Sequence, residues 1–333
     1  MSSSTQLLTG FSEEREAFES ALSDADGGTR GAIAVLSEPF GGRERFLDVA
    51  ADKFGERATR IRCGPTMECS RGLDLGDGDV VIVDDCQHLF VRRIGGFDGF
   101  DRFLRQVATF DGLVVTSWNT YSWDYLVAVK DLERTFPTQI RLGHLDREYL
   151  QVFLLAENDD VPELVDDRGS IAEPLLVRRD YPLSFGRDRK LHLPYVVPNV
   201  DEIVRRVTKN DGEPVETLFF ERLTQVADGN PGVARYLWEE RISDGRLEFS
   251  ALREPDGELG LDYDTAFLLQ VLLTKERISY DELYDVVAHP DLDRALGQLV
   301  RQQVLTVDGD LVELRPATLK QLVESLERRR IIW

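Results

Sequence analysis

Val80, Val81, Ile82 and Val83 are four consecutive β-branched residues that run straight into Asp84 and Asp85. A strand that is apolar at every position has no face to give to water. It must be covered on both sides, which is the situation of a parallel sheet sandwiched between helices. Gly31–Ser37 (GAIAVLS) and Gly112–Asn119 (GLVVTSWN) are runs of the same kind, and 58–64 and 138–145 are shorter ones. Segments with helical periodicity separate them: 12–22, 43–55, 97–110 and 146–157. Strands alternating with helices predict a doubly wound α/β domain over residues 1–156. The run 79–90 is expected to be strand.

Beyond 156 the pattern changes. Acid clusters, prolines and short apolar runs over 157–215 predict an irregular insertion leading into a lid, followed by a helical lid over 216–255. From 260 to 333 come three amphipathic segments, a hairpin turning at Asp308-Gly309-Asp310, and a last helix. Three helices and a hairpin spell a winged helix.

The chain has 333 residues, with 61 acids against 40 bases and a formal net charge of −21. Only six of the bases are lysines. An acidic, lysine-poor surface stays hydrated where repulsion is screened over a few ångströms, and the composition resembles that of proteins from halophilic archaea. Such a chain is electrostatically disfavoured as a general nucleic-acid binder. One stretch is basic: Arg168, Arg178, Arg179, Arg187, Arg189 and Lys190 face Glu173, Asp180 and Asp188. It reads either as a docking surface or as a loop whose arginines pair with the chain's own acids. Cys63, Cys69 and Cys86 have no zinc-knuckle or disulfide-framework spacing, and the four histidines are scattered, so no metal cage is expected. The start, MSSSTQLLTGF, lacks a basic leader, and no apolar run reaches membrane-spanning length. The chain is therefore expected to be cytoplasmic.

The turn Ser37-Glu38-Pro39-Phe40-Gly41-Gly42-Arg43-Glu44 lies between a buried strand and a helix, the place of a phosphate-binding Walker A loop. In G-x-x-x-x-G-K-[ST], backbone N–H groups wrap the phosphates, lysine neutralises charge and the hydroxyl holds Mg²⁺. Here Pro39, Gly41 and Gly42 supply the turn. Ser37 replaces the first glycine, Arg43 stands at the lysine place and Glu44 at the hydroxyl place. Arginine keeps the charge in a different geometry. Glutamate sets a negative group where the helix N-terminus favours an anion from outside. The bland reading is a strand-to-helix turn that never held phosphate. Asp84 and Asp85 match a Walker B pair, Asp84 for Mg²⁺ and Asp85 for water, or else cap the strand. The turn and the paired acids are expected to abut on adjacent strands.

Asn119 closes its strand at the sensor 1 place. Arg134 falls where an arginine finger would sit, or is a solvated helix-end residue. Asp228-Gly229-Asn230-Pro231-Gly232 is similar to a G-x-P motif, with Arg235 near sensor 2, and is also a plain helix-starting turn. By the order of these motifs the chain resembles the AAA+/STAND class of P-loop ATPases, with an architecture like that of archaeal origin-recognition proteins. The resemblance implies a P-loop NTPase-type parallel sheet with helices on both faces, a helical lid and a winged helix. The cofactor that the resemblance implies is ATP with Mg²⁺, and homo-oligomers are compatible with it. Catalysis and, less severely, nucleotide binding are put in question by Ser37, Arg43 and Glu44. Two readings follow: a regulatory or scaffolding protein working through protein contacts, or an ATP-dependent switch or DNA-binding regulator. For DNA, Arg294 and Arg301 on the third winged-helix helix are the candidate contacts. Asp291, Asp293, Asp308, Asp310 and Glu313 oppose them and favour a protein partner.

Overall fold

The structure is a computed structural model that describes residues 10–26, 30–65, 73–76, 78–157, 161–167, 176–185, 189–198, 214–254, 259–287 and 291–332. Five parallel strands form the central sheet: β1 (Gly31–Ser37), β2 (Ala58–Arg62), β3 (Val80–Asp84), β4 (Leu113–Asn119) and β5 (Thr138–Arg141). Their order is β2-β3-β4-β1-β5. Alternate residues feed two separate cores, because successive side chains leave opposite faces of a strand. Ile33, Val35, Ile82 and Val115 pack with Phe18 of α1 (Ser12–Asp26) and Phe46 of α2 (Arg43–Phe54). Ala34, Val81, Val83 and Trp118 pack with Phe100 and Phe103 of α3 (Asp98–Thr109), Trp123 of α4 (Thr120–Val129) and Phe136, which follows α5 (Leu132–Thr135). The chain is thus an α/β protein with a parallel sheet covered by helices on both faces.

Three local expectations change. The strand expected over 79–90 ends at Asp84. Asp85 is left-handed (φ 56°), which turns the chain into a 3-10 helix at Cys86–Leu89. Residues 120–129, unassigned from sequence, form α4 because the Asn119 side chain accepts from the N–H groups of Tyr121 and Ser122. Finally, β1 and β3 are not neighbours, since β4 lies between them.

Three further helices follow the sheet, α6 (Arg147–Glu157), α7 (Val215–Ala227) and α8 (Pro231–Arg241), and Phe220 stacks on Trp238 at 5.5 Å between ring centroids. Two short strands, β6 (Glu163–Val165) and β9 (Arg246–Glu248), pair in parallel beside them. The stretch expected to be irregular carries an antiparallel ribbon, β7 (Leu176–Phe185) with β8 (Arg189–Pro198). Pro182, Pro194 and the charges interrupt its apolar alternation, so the sequence pattern did not reveal it. Arg168, Glu173, Arg187 and Asp188 of the basic stretch, and Cys69, lie outside the described residues.

The C-terminal unit runs α9 (Tyr263–Lys275), β10 (Arg277–Ser279), α10 (Tyr280–Val286), α11 (Leu292–Arg301), β11 (Leu305–Asp308), β12 (Leu311–Leu314) and α12 (Leu319–Arg328). Its three strands lie antiparallel in the order β10-β12-β11, with Gly309 at φ 58° in the turn. The short β10 has no counterpart in the sequence reading. Leu268, Leu272, Leu299 and Leu322 join the same apolar core as Phe46 and Val35, so this unit is packed onto the rest of the chain. Among the described residues no helix is long and apolar enough to cross a membrane.

Candidate functional site

The turn after β1 is held from both sides. Phe40 (φ 64°) and Gly42 (φ 87°) are left-handed, and a Cβ on Gly41 would come within 2.7 Å of Ser37 Cβ. The Gly41 N–H donates back to the Glu38 carbonyl at 3.0 Å. From the start of α8, Asn230 Nδ2 donates to the Pro39 carbonyl (2.9 Å) and the Gly232 N–H donates to the Phe40 carbonyl (3.0 Å). Asn230 Oδ1 also caps α8 at the Val233 N–H. A Cβ on Gly232 would sit 2.4 Å from the Phe40 carbonyl oxygen, so the close approach requires glycine there. The segment similar to a G-x-P motif therefore clamps the turn through the Asn230 side chain and the Gly232 backbone. Glu38 adds a second tether, accepting from Tyr121 Oη at 2.7 Å and pairing with His144 Nε2 at 3.1 Å.

Arg43, the first residue of α2, is 5% exposed. Its Nη2 lies 2.9 Å from Asp85 Oδ1 and 2.8 Å from Glu276 Oε1, and Nη1 reaches Ser37 Oγ at 3.5 Å. Asn119 Nδ2 donates to the same Glu276 oxygen (2.9 Å) and to the Leu273 carbonyl (2.9 Å). Asp85 also faces Arg62, Arg277 and Gln87. Burial opposes the charge on Arg43, but Glu276 and Asp85 outweigh it and hold the pKa above the ordinary arginine value. Burial works against the Asp85 carboxylate too, and Arg43 overcomes it, bringing the pKa down to about 2. For Glu276, burial pushes the pKa up, Arg43 pulls it down, and the net direction is upward. His88, buried alongside, is driven down to about 3 by burial and then by Lys275, and so is neutral.

Asp84 is sealed below this cluster. Ser117 Oγ donates to its Oδ1 (2.6 Å), Arg60 Nη2 to its Oδ2 (2.9 Å), and the Asp85 N–H to Oδ1 (3.0 Å). Glu44 is exposed, 4.0 Å from Arg62. Arg134 on α5 and Arg235 on α8 are exposed, and neither lines the cleft at Arg43. Arg294 and Arg301 are exposed on α11, Arg294 lying 4.0 Å from Asp291. The turn and the acids meet through Arg43 and Asp85, but not on adjacent strands as expected. They do so across β4, over two strand spacings of about 4.8 Å each, because arginine is long enough to reach.

The cleft beside Arg43 measures about 210 Å³, and its lining includes the acids Glu44, Asp85, Glu276 and Glu313 together with Arg43, Arg62 and Arg277. Small-molecule sites are commonly about 300–1,000 Å³. The fit to Mg²⁺-ATP is poor on three counts. Arg43 is engaged by two carboxylates, Asp84 has both oxygens hydrogen-bonded within the chain, and Glu44 adds an acid to the lining. Among the described residues no group of three or more acidic, histidine or cysteine side chains is placed to hold a metal. Sequence reasoning found Arg43, Asp85 and Asn119. It missed Glu276, whose helix-end position carries no motif, and Arg60 and Arg62, whose alternation on β2 was the available clue.

No protein-family model matches the chain, and no curated protein matches its sequence. Solved structures similar to it include the Thermotoga maritima RuvB Holliday junction branch migration motor (12% identity, 95% of each chain, TM-score 0.45). Others are Cdc6p from Pyrobaculum aerophilum (12% identity, 97% of this chain and 95% of that one, TM-score 0.41) and the Aeropyrum pernix ORC1 protein in complex with DNA (16% identity, 96% and 93%, TM-score 0.37). At these identities and scores the likeness carries no activity or ligand over to this chain.

Proposed function

We propose that this chain is a regulatory or scaffolding protein built on a degenerate AAA+/STAND-type P-loop NTPase frame, acting through protein contacts of its lid and its winged-helix C-terminal unit, with nucleotide binding weak or lost. The observation that carries the reading is Arg43. At the place where a phosphate-binding loop needs an available cation, the cation is buried and engaged by Asp85 and Glu276. A loop repurposed in this way serves as a structural joint between sheet, lid and C-terminal unit. The chain's acidity, lysine scarcity and the acids around Arg294 and Arg301 support a protein partner over DNA, and a surface adapted to concentrated salt. The helix–strand–helix–helix–hairpin order of residues 263–314 supports the winged-helix assignment.

The test is MgATP in high salt. Neither ATP turnover nor a rise in melting temperature at millimolar nucleotide is expected, since any ligand of the native state must raise it. Mg²⁺-dependent hydrolysis that disappears in Asp84→Ala would sink the reading and make the chain an ATP-driven switch.

A further inference from the structure

Glu276 is the residue just past the end of α9, and its backbone (φ 65°, ψ −46°) is in a region that side chains other than glycine adopt only under strain. Its N–H donates to the Leu272 carbonyl and its own carbonyl accepts from the Leu314 N–H, which fixes it between helix end and hairpin. From there its carboxylate enters the α/β unit and meets two donors, Arg43 and Asn119. The neighbouring helix end is received as well. Asn119 and Ser122 donate to the carbonyls of Leu273 and Thr274, and Lys275 donates to those of Gln87 and Phe90. Helix C-terminal carbonyls lack partners of their own, so the α/β unit supplies the cap of α9.

The geometry points to a carboxylate-binding site with a built-in occupant: Arg43 and Asn119 form the receptor, and Glu276 is the ligand that docks the C-terminal unit. Burial favours a paired arginine over a lone one, and the strain at Glu276, which a glycine would relax, is set against the two donors its carboxylate meets. The docked arrangement is then independent of nucleotide. This rests on the function proposed above, in which nothing from outside fills the place beside Arg43.

Hydrogen exchange on the full chain, followed by mass spectrometry, tests the docking. In Glu276→Lys the peptides covering 85–92 and 270–277 are expected to exchange about tenfold faster through local opening, while those covering 80–84 and 113–119 stay protected. Arg43→Met, which also unpairs Asp85 and lowers stability throughout, should speed exchange over 85–92 and 270–277 at least as much, and adding Glu276→Lys to it should add little there. Wild-type rates in Glu276→Lys would overturn the inference. Loss of protection throughout the sheet would also overturn it, by showing Glu276 to be part of the core and no separable docking contact. MgATP is expected to leave all rates unchanged. Slowing over 37–44 alone in the wild-type protein would instead count against the proposed function, an outcome distinct from the variant results.

Discussion

A cation at the first position of a helix is badly placed, because the N-terminal end of the backbone dipole is positive. Arg43 sits there and is buried as well. Two carboxylates make the position tenable, and each then depends on Arg43 in return. Replacing it with methionine leaves Asp85 and Glu276 facing each other with less compensation. Breaking a buried pair by removing one partner costs about 3–5 kcal/mol, and Arg43→Met should lower stability by that order in urea unfolding. Lysine should not restore it, since a point charge on a flexible stem cannot serve Ser37, Asp85 and Glu276 together. A lysine variant as stable as wild type would contradict this account. The same cluster sets a pH dependence. Asp85 has a lowered pKa, about 2, so its contribution is full above the ordinary carboxylate value and is lost as pH falls through about 2. Glu276 runs the opposite way: its pKa is raised, so its protonation on acidification favours the folded state. Asp85→Asn should therefore flatten the stability–pH curve between about pH 4 and pH 2, by roughly 2 kcal/mol. An unchanged slope in that window would show that Arg43 does not hold Asp85 ionised.

At the scale of elements, what local pattern controls was readable and what tertiary contact controls was not. The apolar runs gave β1, β3 and β4, and the periodic segments gave most helices, because burial on two faces or one leaves a period in the sequence. The order β2-β3-β4-β1-β5 leaves no such trace, which is why β1 and β3 were expected side by side. The β7–β8 ribbon was hidden by its prolines and charges, and β10 by being three residues long. Within the site, the meeting of turn and acids followed from strand ends sharing one edge of the sheet. Glu276 could not be found, since only the docking of a distant unit brings it there. The hold of residues 230–232 on the turn was visible merely as Gly-Asn-Pro-Gly, and its force lies in the Asn230 side chain and in backbone proximity at Gly232. Gly232→Ala would push a methyl group into the Phe40 carbonyl and stretch the hydrogen bond between the two backbones. Overpacking of this kind costs about 1–3 kcal/mol, so the variant should melt several degrees lower. An unchanged melting temperature would mean that α8 and the turn are not rigidly joined.

For the whole molecule the governing quantity is the net charge of −21. Like charges at this density repel across the surface and favour expansion, a cost that salt screens as the Debye length falls from about 10 Å at 0.1 M to about 3 Å at 1 M. The charges that hold the units together behave differently. Arg43, Asp85 and Lys275 are buried, and screening reaches buried pairs weakly. Added KCl thus relieves the surface repulsion while leaving the central cluster nearly intact, and melting temperature should rise monotonically from 0.1 M to 3 M. Pairs that are at least partly exposed, such as Arg57–Asp26 and Arg246–Glu163, weaken over the same range, but such pairs contribute only about 0–1 kcal/mol each. The balance between repulsion over the whole surface and a few exposed attractions fixes the sign. A melting temperature that fell with salt would mean that exposed ion pairs, not the buried cluster and the apolar core, hold the molecule together. In Arg43→Met the rise with salt should persist from a lower starting point, because the deleted charge belongs to the interior and not to the surface that salt screens.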